Sequence, residues 1–432
     1  MHFDVYGDTL CAVVTAAALA STGNYIHLRL PNGVVAENLT LGACPYKEPG
    51  LADLLTEQLK NKRLCIGSAD GLPEDNVHVV FVAVSPNAFD GVERLMEELA
   101  ALPPRRWLLI NQSTFPVGST ANLEALFFSH LPDDSSASLS AVSLPDLLQE
   151  GAALQSFMRP TNLILGCDDS EAEQDIREIL SPFNRRREGM RLMRPSEAEF
   201  TKLAINGMLA TRLSFMNDMA NLADVLHVDI ENVRLGMGAD PRIGDAYLYP
   251  GCGFGGLSFS RDVMSLAHTQ KDAGVHSALL DQVLKINERQ KEVLFRKLWK
   301  HYKTDLKGKK IALWGAAFKP GTGRIENAPS LTLIDALLAQ GAEVYVHDPM
   351  ALPALSERYK NYAAVSVSDD AYDILHDADA LILVTEWKEY WAPDFDRLKA
   401  SMRSPLILDG RNIYQPEYVR QKGFDYYGVG RG

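Results

Sequence analysis

The chain has 432 residues, 46% hydrophobic and 23% charged, the make-up of an ordinary globular protein long enough for two or three domains. Its formal net charge of −13 excludes a general attraction to a nucleic-acid backbone. No apolar run approaches the about 20 residues that a membrane span needs. The opening "MHFDVYGDTL" lacks the charged and apolar regions of a secretory leader, so a cytoplasmic protein without membrane contact is expected. The cysteines Cys11, Cys44, Cys65, Cys167 and Cys252 show no CxxC spacing, which argues against a disulfide framework and against a metal site.

The first stretch alternates short apolar segments with helical ones. Strands are predicted at Phe3–Tyr6, Tyr25–Leu30, Val77–Val84, Trp107–Ile110 and Leu163–Leu165, with helix-like runs such as "AVVTAAALAS" and "DGVERLMEELAAL" between them. Strands joined by helix-length crossovers imply a doubly wound parallel sheet. From "RPSEAEF" to about Gln290 the chain turns Ala-, Leu- and Met-rich and helical, and Pro195 followed by Ser196-Glu-Ala-Glu199 has the spacing of a capping box. "WKHYKTDLKGKK" reads as a polar, basic link. A second α/β pattern then begins, with strands at Lys310–Trp314, Glu343–His347, Ala380–Val384 and Leu406–Asp409 and a helix "SLTLIDALLAQG" ending at Gly341. The two α/β halves show no sequence repeat.

A strand, a Gly-rich turn and a helix near the N-terminus form the place where a dinucleotide binds. Here the turn is Gly7-Asp8-Thr9-Leu10-Cys11-Ala12, with one glycine of G-x-G-x-x-G retained. Ala12 suits helix–strand packing, whereas the branched Cβ of Thr9 stands where the backbone approaches a pyrophosphate. The acidic residue that binds a ribose hydroxyl at the end of the second strand is replaced by Leu30.

Further motifs stand in a definite order. "STFPVGST" resembles S-T-V-P-V-G, and "SLPDLLQEGAAL" resembles N-P-E-F-L-R-E-G-x-A, with Asp146 and Glu150 on one face if the segment is helical. "FTKLAINGMLATRLSFMNDMANLAD" resembles a central helix with K-x-x-x-N, which places Lys202 and Asn206 on one helical face. "DPRIGDAYLYPGCGFGG", with Arg242 and the glycines Gly251, Gly253, Gly255 and Gly256, is similar to D-x-R-I-G-x-x-F-L-x-P-G-x-G-F-G-G. "GAAFKPGTG", with Phe318 and Lys319, is similar to G-x-A-F-K-x-x-T. "VTEWKEY" and "LDGRNIY" follow.

Together these resemble the UDP-glucose/GDP-mannose dehydrogenase family, nearly end to end. The resemblance implies oxidation of a sugar nucleotide's C6 alcohol to a carboxylate with two NAD molecules, through an aldehyde held on a cysteine. It implies an NAD-binding Rossmann-like domain (1–195), a central helical dimerisation and substrate-loop region (196–300) and a Rossmann-like UDP-sugar domain (301–432), assembled as a homodimer through the central helix. In that pattern Thr114 holds a water or proton, Glu150 shares that task, and Lys202 and Asn206 flank an oxyanion. Asp262 supports proton transfer. Gly7, Thr9, Ala12, Leu30, Ser85, Thr114 and Glu326 line the cofactor. Asp146, Arg242, Gly253, Gly255, Gly256, Phe318 and Lys319 contact the sugar nucleotide.

The chain departs from the family at three places. The S-C-F-P-K-D nucleophile motif reads Leu257-Ser258-Phe259-Ser260-Arg261-Asp262, so Ser258 replaces the thiol, which ionises far more easily than an alcohol. Cys252 reads as a loop residue, not a substitute nucleophile. In "TGRIENAP", set against T-D-D-x-R-x-S-P, Glu326 replaces an arginine and reverses its charge. The third place is the turn at Thr9 together with Leu30; Ser85 for threonine is mild. The losses concentrate on the cofactor and nucleophile positions. Two readings compete: an impaired NAD-dependent dehydrogenase of UDP-glucose or a related sugar nucleotide, supplying uronic acids for envelope polysaccharides, and a catalytically inactive binder that acts as sensor or as partner of an active paralogue. A dehydrogenase scaffold with another redox cofactor has only the fold in its favour.

Overall fold

The structure, a computed structural model, describes residues 1–31, 38–39, 43–68, 78–184, 189–275 and 278–431. The chain divides into two compact units, Met1–Ala204 and Ile205–Gly432. The first holds an eight-stranded sheet: β1 (His2–Tyr6), β2 (Tyr25–Leu30), β3 (Leu64–Ser68), β4 (Val79–Val82), β5 (Arg106–Asn111), β6 (Ser138–Ser143), β7 (Leu163–Gly166) and β8 (Met190–Met193). Their spatial order is β3-β2-β1-β4-β5-β6-β7-β8, and only the β6/β7 pair is antiparallel. The second unit holds β9 (Lys310–Trp314), β10 (Glu343–His347), β11 (Val365–Val367), β12 (Ala380–Leu383), β13 (Leu406–Asp409) and β14 (Asp425–Gly428). Its order is β11-β10-β9-β12-β13-β14, parallel throughout. Both sheets are doubly wound, and the first six strands of one repeat the winding of the other.

The strands predicted at Tyr25–Leu30, Lys310–Trp314, Glu343–His347 and Leu406–Asp409 have those bounds, and the others differ by a residue or two at an end. Val77 lies outside the described residues. Three of the strands that went unpredicted, β3 (LCIGS), β6 (SLSAVS) and β14 (DYYG), are short and diluted by Ser, Gly or Asp, so no apolar run marks them. The helix Leu10–Ser21 is buried all round from Cys11 to Ala20, packed over β1 and β2, which is why it reads as uniformly apolar and not amphipathic.

Between the sheets come the helices Pro195–Leu226, Ile230–Gly238, Leu257–Asp272, Leu279–Gln290 and Val293–His301. The last of these takes in Trp299–His301, so the basic link begins one turn later than the sequence suggests. Among the described residues no helix is long and apolar enough to cross a membrane.

The capping box at Ser196 does not form, because the helix already begins at Pro195. Glu197 instead turns back to the Arg194 N–H at 2.9 Å. Glu199, 6% exposed, accepts from the Gly118 N–H (2.6 Å), the Thr120 N–H (2.8 Å) and the Thr120 hydroxyl (2.6 Å). One buried carboxylate thereby caps the helix Ser119–Ser129 from outside and fixes the loop after β5. Glu199→Ala strands two N–H groups and leaves a void, and it should destabilise the first unit by about 2–4 kcal/mol. Urea unfolding followed by circular dichroism checks this, with Glu197→Ala on the exposed side shifting the midpoint far less.

Candidate active site

In an open parallel sheet, ligands bind beyond the carboxyl ends of the strands where the order reverses. In the first unit that point lies between β1 and β4. Gly7 follows β1 with φ +150°, and a Cβ there would come within 2.1 Å of the Ala83 carbonyl oxygen, so only glycine fits. Thr9 is the N-cap of Leu10–Ser21: its hydroxyl donates to the Ala83 carbonyl at 2.6 Å and accepts from the Ala12 N–H at 3.3 Å. Ala12 is wholly buried. The Leu10 and Cys11 amides that head the helix have no acceptor four residues back, which leaves an anion-binding helix head. The Tyr46 hydroxyl donates to the Asp8 carbonyl and braces the turn from outside.

Ser85 and Thr114, both half-buried, follow the neighbouring strands β4 and β5. Their loops are tied together by the Val84 N–H donating to Ser113 Oγ at 2.9 Å. Asp146 follows β6. Burial pushes the Cys11 thiol well above its ordinary range; the Asp146 charge adds to this, while a hydrogen bond to Thr15 and the charge of Lys202 oppose it. Asp146 and Lys202 thus both stand within electrostatic reach of the turn. Residues 144–149 are not helical, so Asp146 and Glu150 do not share a helical face as the spacing suggested. Asp146 instead accepts the Leu148 N–H at 2.9 Å, and Pro145 favours the extended entry. Glu150 sits half-buried on the turn before the helix Ala153–Met158.

In the second unit Ser258 is exposed in the first turn of Leu257–Asp272. Asp262 lies four residues on, hence on the same face, and is 2% exposed. Its carboxylate accepts from the Asn206 amide at 2.8 Å, with Arg261 at 3.4 Å from the other oxygen. Asp262 and Asn206 therefore form a hydrogen-bonded cluster, with Ser258 one helical turn before Asp262 at the surface. Lys202 lies one turn before Asn206 on the helix Pro195–Leu226.

The glycine loop leads into that cluster, and most of its polar groups are already engaged. The Gly251 N–H donates to Asn217 (2.8 Å), Cys252 N–H to the Gly410 carbonyl (3.0 Å), Phe254 N–H to Asn287 (2.8 Å) and Gly256 N–H to the Glu326 carbonyl (2.9 Å). Arg411 donates to the Gly253 carbonyl at 3.3 Å. A Cβ on Gly255 would lie 2.6 Å from the Asn327 carbonyl oxygen, and one on Gly256 2.8 Å from the Phe318 ring. These glycines permit the chain to close on itself. Lys319 lies beside Phe318, its Nζ 5.6 Å from the ring centre. Arg242 stands apart, with 87% of its side chain exposed and a two-point pairing to Asp240.

Three family models cover most of the chain: UDP-glucose/GDP-mannose dehydrogenase family, NAD binding domain at residues 3–184, central domain at 196–289 and UDP binding domain at 312–416. A UDP-glucose 6-dehydrogenase of Pseudomonas aeruginosa is 40% identical over 100% of this chain and 98% of its own. The chain belongs to the UDP-glucose/GDP-mannose dehydrogenase family. A UDP-glucose 6-dehydrogenase of Rhizobium meliloti is 32% identical, with 91% of each chain covered. A UDP-glucose dehydrogenase from Pyrobaculum islandicum superposes with a TM-score of 0.88 at 26% identity, covering 100% of this chain and 98% of that one.

Against the family pattern, the charge reversal at Glu326 is smaller than the residue alone implies. Arg324 lies 3.4 Å from its carboxylate, so the acid-then-base order has become base-then-acid with little change in local charge. The dinucleotide cradle fits at the pyrophosphate end, through Gly7, Ala12 and the helix head. At the ribose end it offers Leu30, 1% exposed within the apolar cluster.

Sequence reasoning missed the side chains that hold these loops. Glu48 accepts the Gly151 and Ala153 N–H groups at 2.8 and 2.5 Å. Glu199, Asn217, Asn287 and Arg411 do similar work. A buried acid just before Pro49-Gly50 and a helix was a usable hint at Glu48; Asn217 and Asn287 carry no local signal.

Cys252 is fully buried with its Sγ 3.7 Å from the Val384 carbonyl, and burial pushes its thiol up against the opposing Arg411 charge. It is no substitute nucleophile. Iodoacetamide on the native protein should label exposed Cys65 and spare Cys252, as peptide mass spectrometry would show.

Proposed function

We propose that the chain is an NAD-dependent nucleotide-sugar 6-dehydrogenase acting on UDP-glucose or a related sugar nucleotide, with its second oxidation impaired. The Asp262–Asn206 cluster, with Ser258 one turn before Asp262, carries this reading. Asn206 holds the Asp262 carboxylate at 2.8 Å, and the helix sets Ser258 on the same face. The cluster keeps the proton-handling carboxylate but presents an alcohol where the second oxidation calls for a thiolate. NAD, when bound, supplies the hydride acceptor. Lys202 and Asn206 stabilise the alkoxide that develops at C6, and Thr114 and Glu150 hold a water or proton. Gly253, Gly255, Gly256, Phe318 and Lys319 frame the sugar nucleotide, with Asp146 and Arg242 assigned to it by the family pattern alone. An aldehyde formed in the first oxidation leaves or is oxidised as its hydrate. NAD binding is weak, in the millimolar range or on the order of −4 kcal/mol, because Leu30 cannot accept a ribose hydroxyl and Thr9 fills the turn.

Residues 1–195, 196–300 and 301–432 serve as cofactor, dimerisation and sugar-nucleotide regions of a cytoplasmic enzyme that feeds envelope polysaccharide synthesis. Met208 (62% exposed), Phe215 (47%) and Leu222 (48%) recur every seven residues along Pro195–Leu226, an apolar stripe that a second copy would cover. Light scattering at micromolar concentration should give a dimer; a monomer refutes this assembly.

The alternative is an inactive sugar-nucleotide binder, which Ser258 and Leu30 together favour. Turnover separates the two. Ser258→Cys alone should fail to restore the release of two NADH per UDP-glucose, because Thr9, Leu30 and Glu326 act on the cofactor side as well. Ser258→Cys combined with Thr9→Gly, Leu30→Asp and Glu326→Arg should exceed every single change. Two NADH per sugar from the unmodified chain would overturn the impairment. Tight UDP-glucose binding without any turnover would establish the binder.

A further inference from the structure

We propose that the dinucleotide site barely distinguishes NAD from NADP, and that Leu30 is the residue that sets this. The inference rests on the reading of the first unit as a dinucleotide site. In such sites an acid at the end of the second strand accepts the 2′-hydroxyl of the adenosine ribose, and its charge repels a 2′-phosphate. A nearby arginine does the opposite and favours the phosphate.

Backbone geometry identifies that position in this chain. Tyr6 pairs with Arg29 across β1 and β2, and the Gly7 N–H donates to the Arg29 carbonyl at 3.0 Å. The next residue, Leu30, therefore ends β2 beside the Gly7 turn. Its side chain is 1% exposed and packs in the cluster that includes Cys11, Leu28 and Leu39. An aliphatic side chain neither accepts the hydroxyl of NAD nor repels the phosphate of NADP, so both halves of the discrimination are lost.

The guanidinium next to it in the chain cannot tip the balance toward NADP. Arg29 is wholly buried, with Asp4 at 3.5 Å, Glu98 at 3.3 Å and the Tyr6 ring centre at 5.7 Å. Alternation along β2 sends it to the opposite face of the sheet from Leu30. Asp8, the acid within the turn, belongs to the pyrophosphate end, which both cofactors share. Near-parity follows, not inversion.

The test is equilibrium binding, read by calorimetry or ligand-observed NMR on the full chain without sugar nucleotide. NAD and NADP should bind with dissociation constants within about threefold of one another. Leu30→Asp should shift the ratio roughly tenfold or more toward NAD, by weakening NADP as well as strengthening NAD. The wild-type ratio decides even if the aspartate is not tolerated in the core. A wild-type preference for NAD of about 30-fold or more overturns the inference and leaves the dinucleotide site standing. Saturable binding of neither cofactor up to about 10 mM overturns the dinucleotide reading itself, and this inference with it.

Discussion

Buried carboxylates that accept backbone N–H groups hold the loops on which the candidate site is built. Glu199 gathers the amides of Gly118 and Thr120, Glu48 those of Gly151 and Ala153. In the second unit Asp348 accepts from Ala316, Ala317, Met350 and Ala351, and Asp409 from Arg411 and Tyr414. Each pairing satisfies donors that a sharp turn leaves without partners, and each charge is compensated by several oriented dipoles. Removing any of these acids would strand two or more N–H groups in a dry interior, where each lost partner costs about 1–3 kcal/mol. The loops that carry Thr114 and Glu150 are therefore braced by Glu199 and Glu48.

The scaffold was legible where the physics is local. The apolar run Ile311–Trp314 announces a central parallel strand buried on both faces, and Tyr25–Leu30 alternates Ile26, Leu28 and Leu30 with polar residues. β6 and β14 escaped notice because serines and an aspartate occupy positions that only a tertiary neighbour makes tolerable. The order of motifs along the chain gave the family. It could not give the non-local partners. Glu199 looked like the fourth residue of a capping box and proved to be the cap of a helix almost 80 residues earlier in the chain. Glu326 reverses the charge of the motif's arginine where Gly323 and Arg324 replace its two acids, and Arg324 lies 3.4 Å from its carboxylate. Asp146 and Glu150 were four apart in number but not on a helix. Glu199 has its partner in another loop and Asp146 lies on an unanticipated backbone path, while the Arg324–Glu326 pair is local, two residues apart.

The two doubly wound sheets match position by position but part at the end of their second strands. Gly315 N–H donates to the His347 carbonyl at 2.8 Å, as Gly7 N–H donates to Arg29, so Asp348 in the second sheet stands where Leu30 stands in the first. Asp348 does not face outward. Its carboxylate accepts from Ala316 and Ala317 at 2.7 and 2.9 Å and from the Trp387 indole at 3.0 Å. The Ala316 and Ala317 amides after β9 are thereby bound to an internal carboxylate, whereas at the head of Leu10–Ser21 the Ala12 amide meets the Thr9 hydroxyl. The first sheet thus has an apolar residue at this position, and the second an acid that binds the amides of its own first turn. Equal windings differ at one position by the end of the second strand, where the first sheet has Leu30 and the second Asp348.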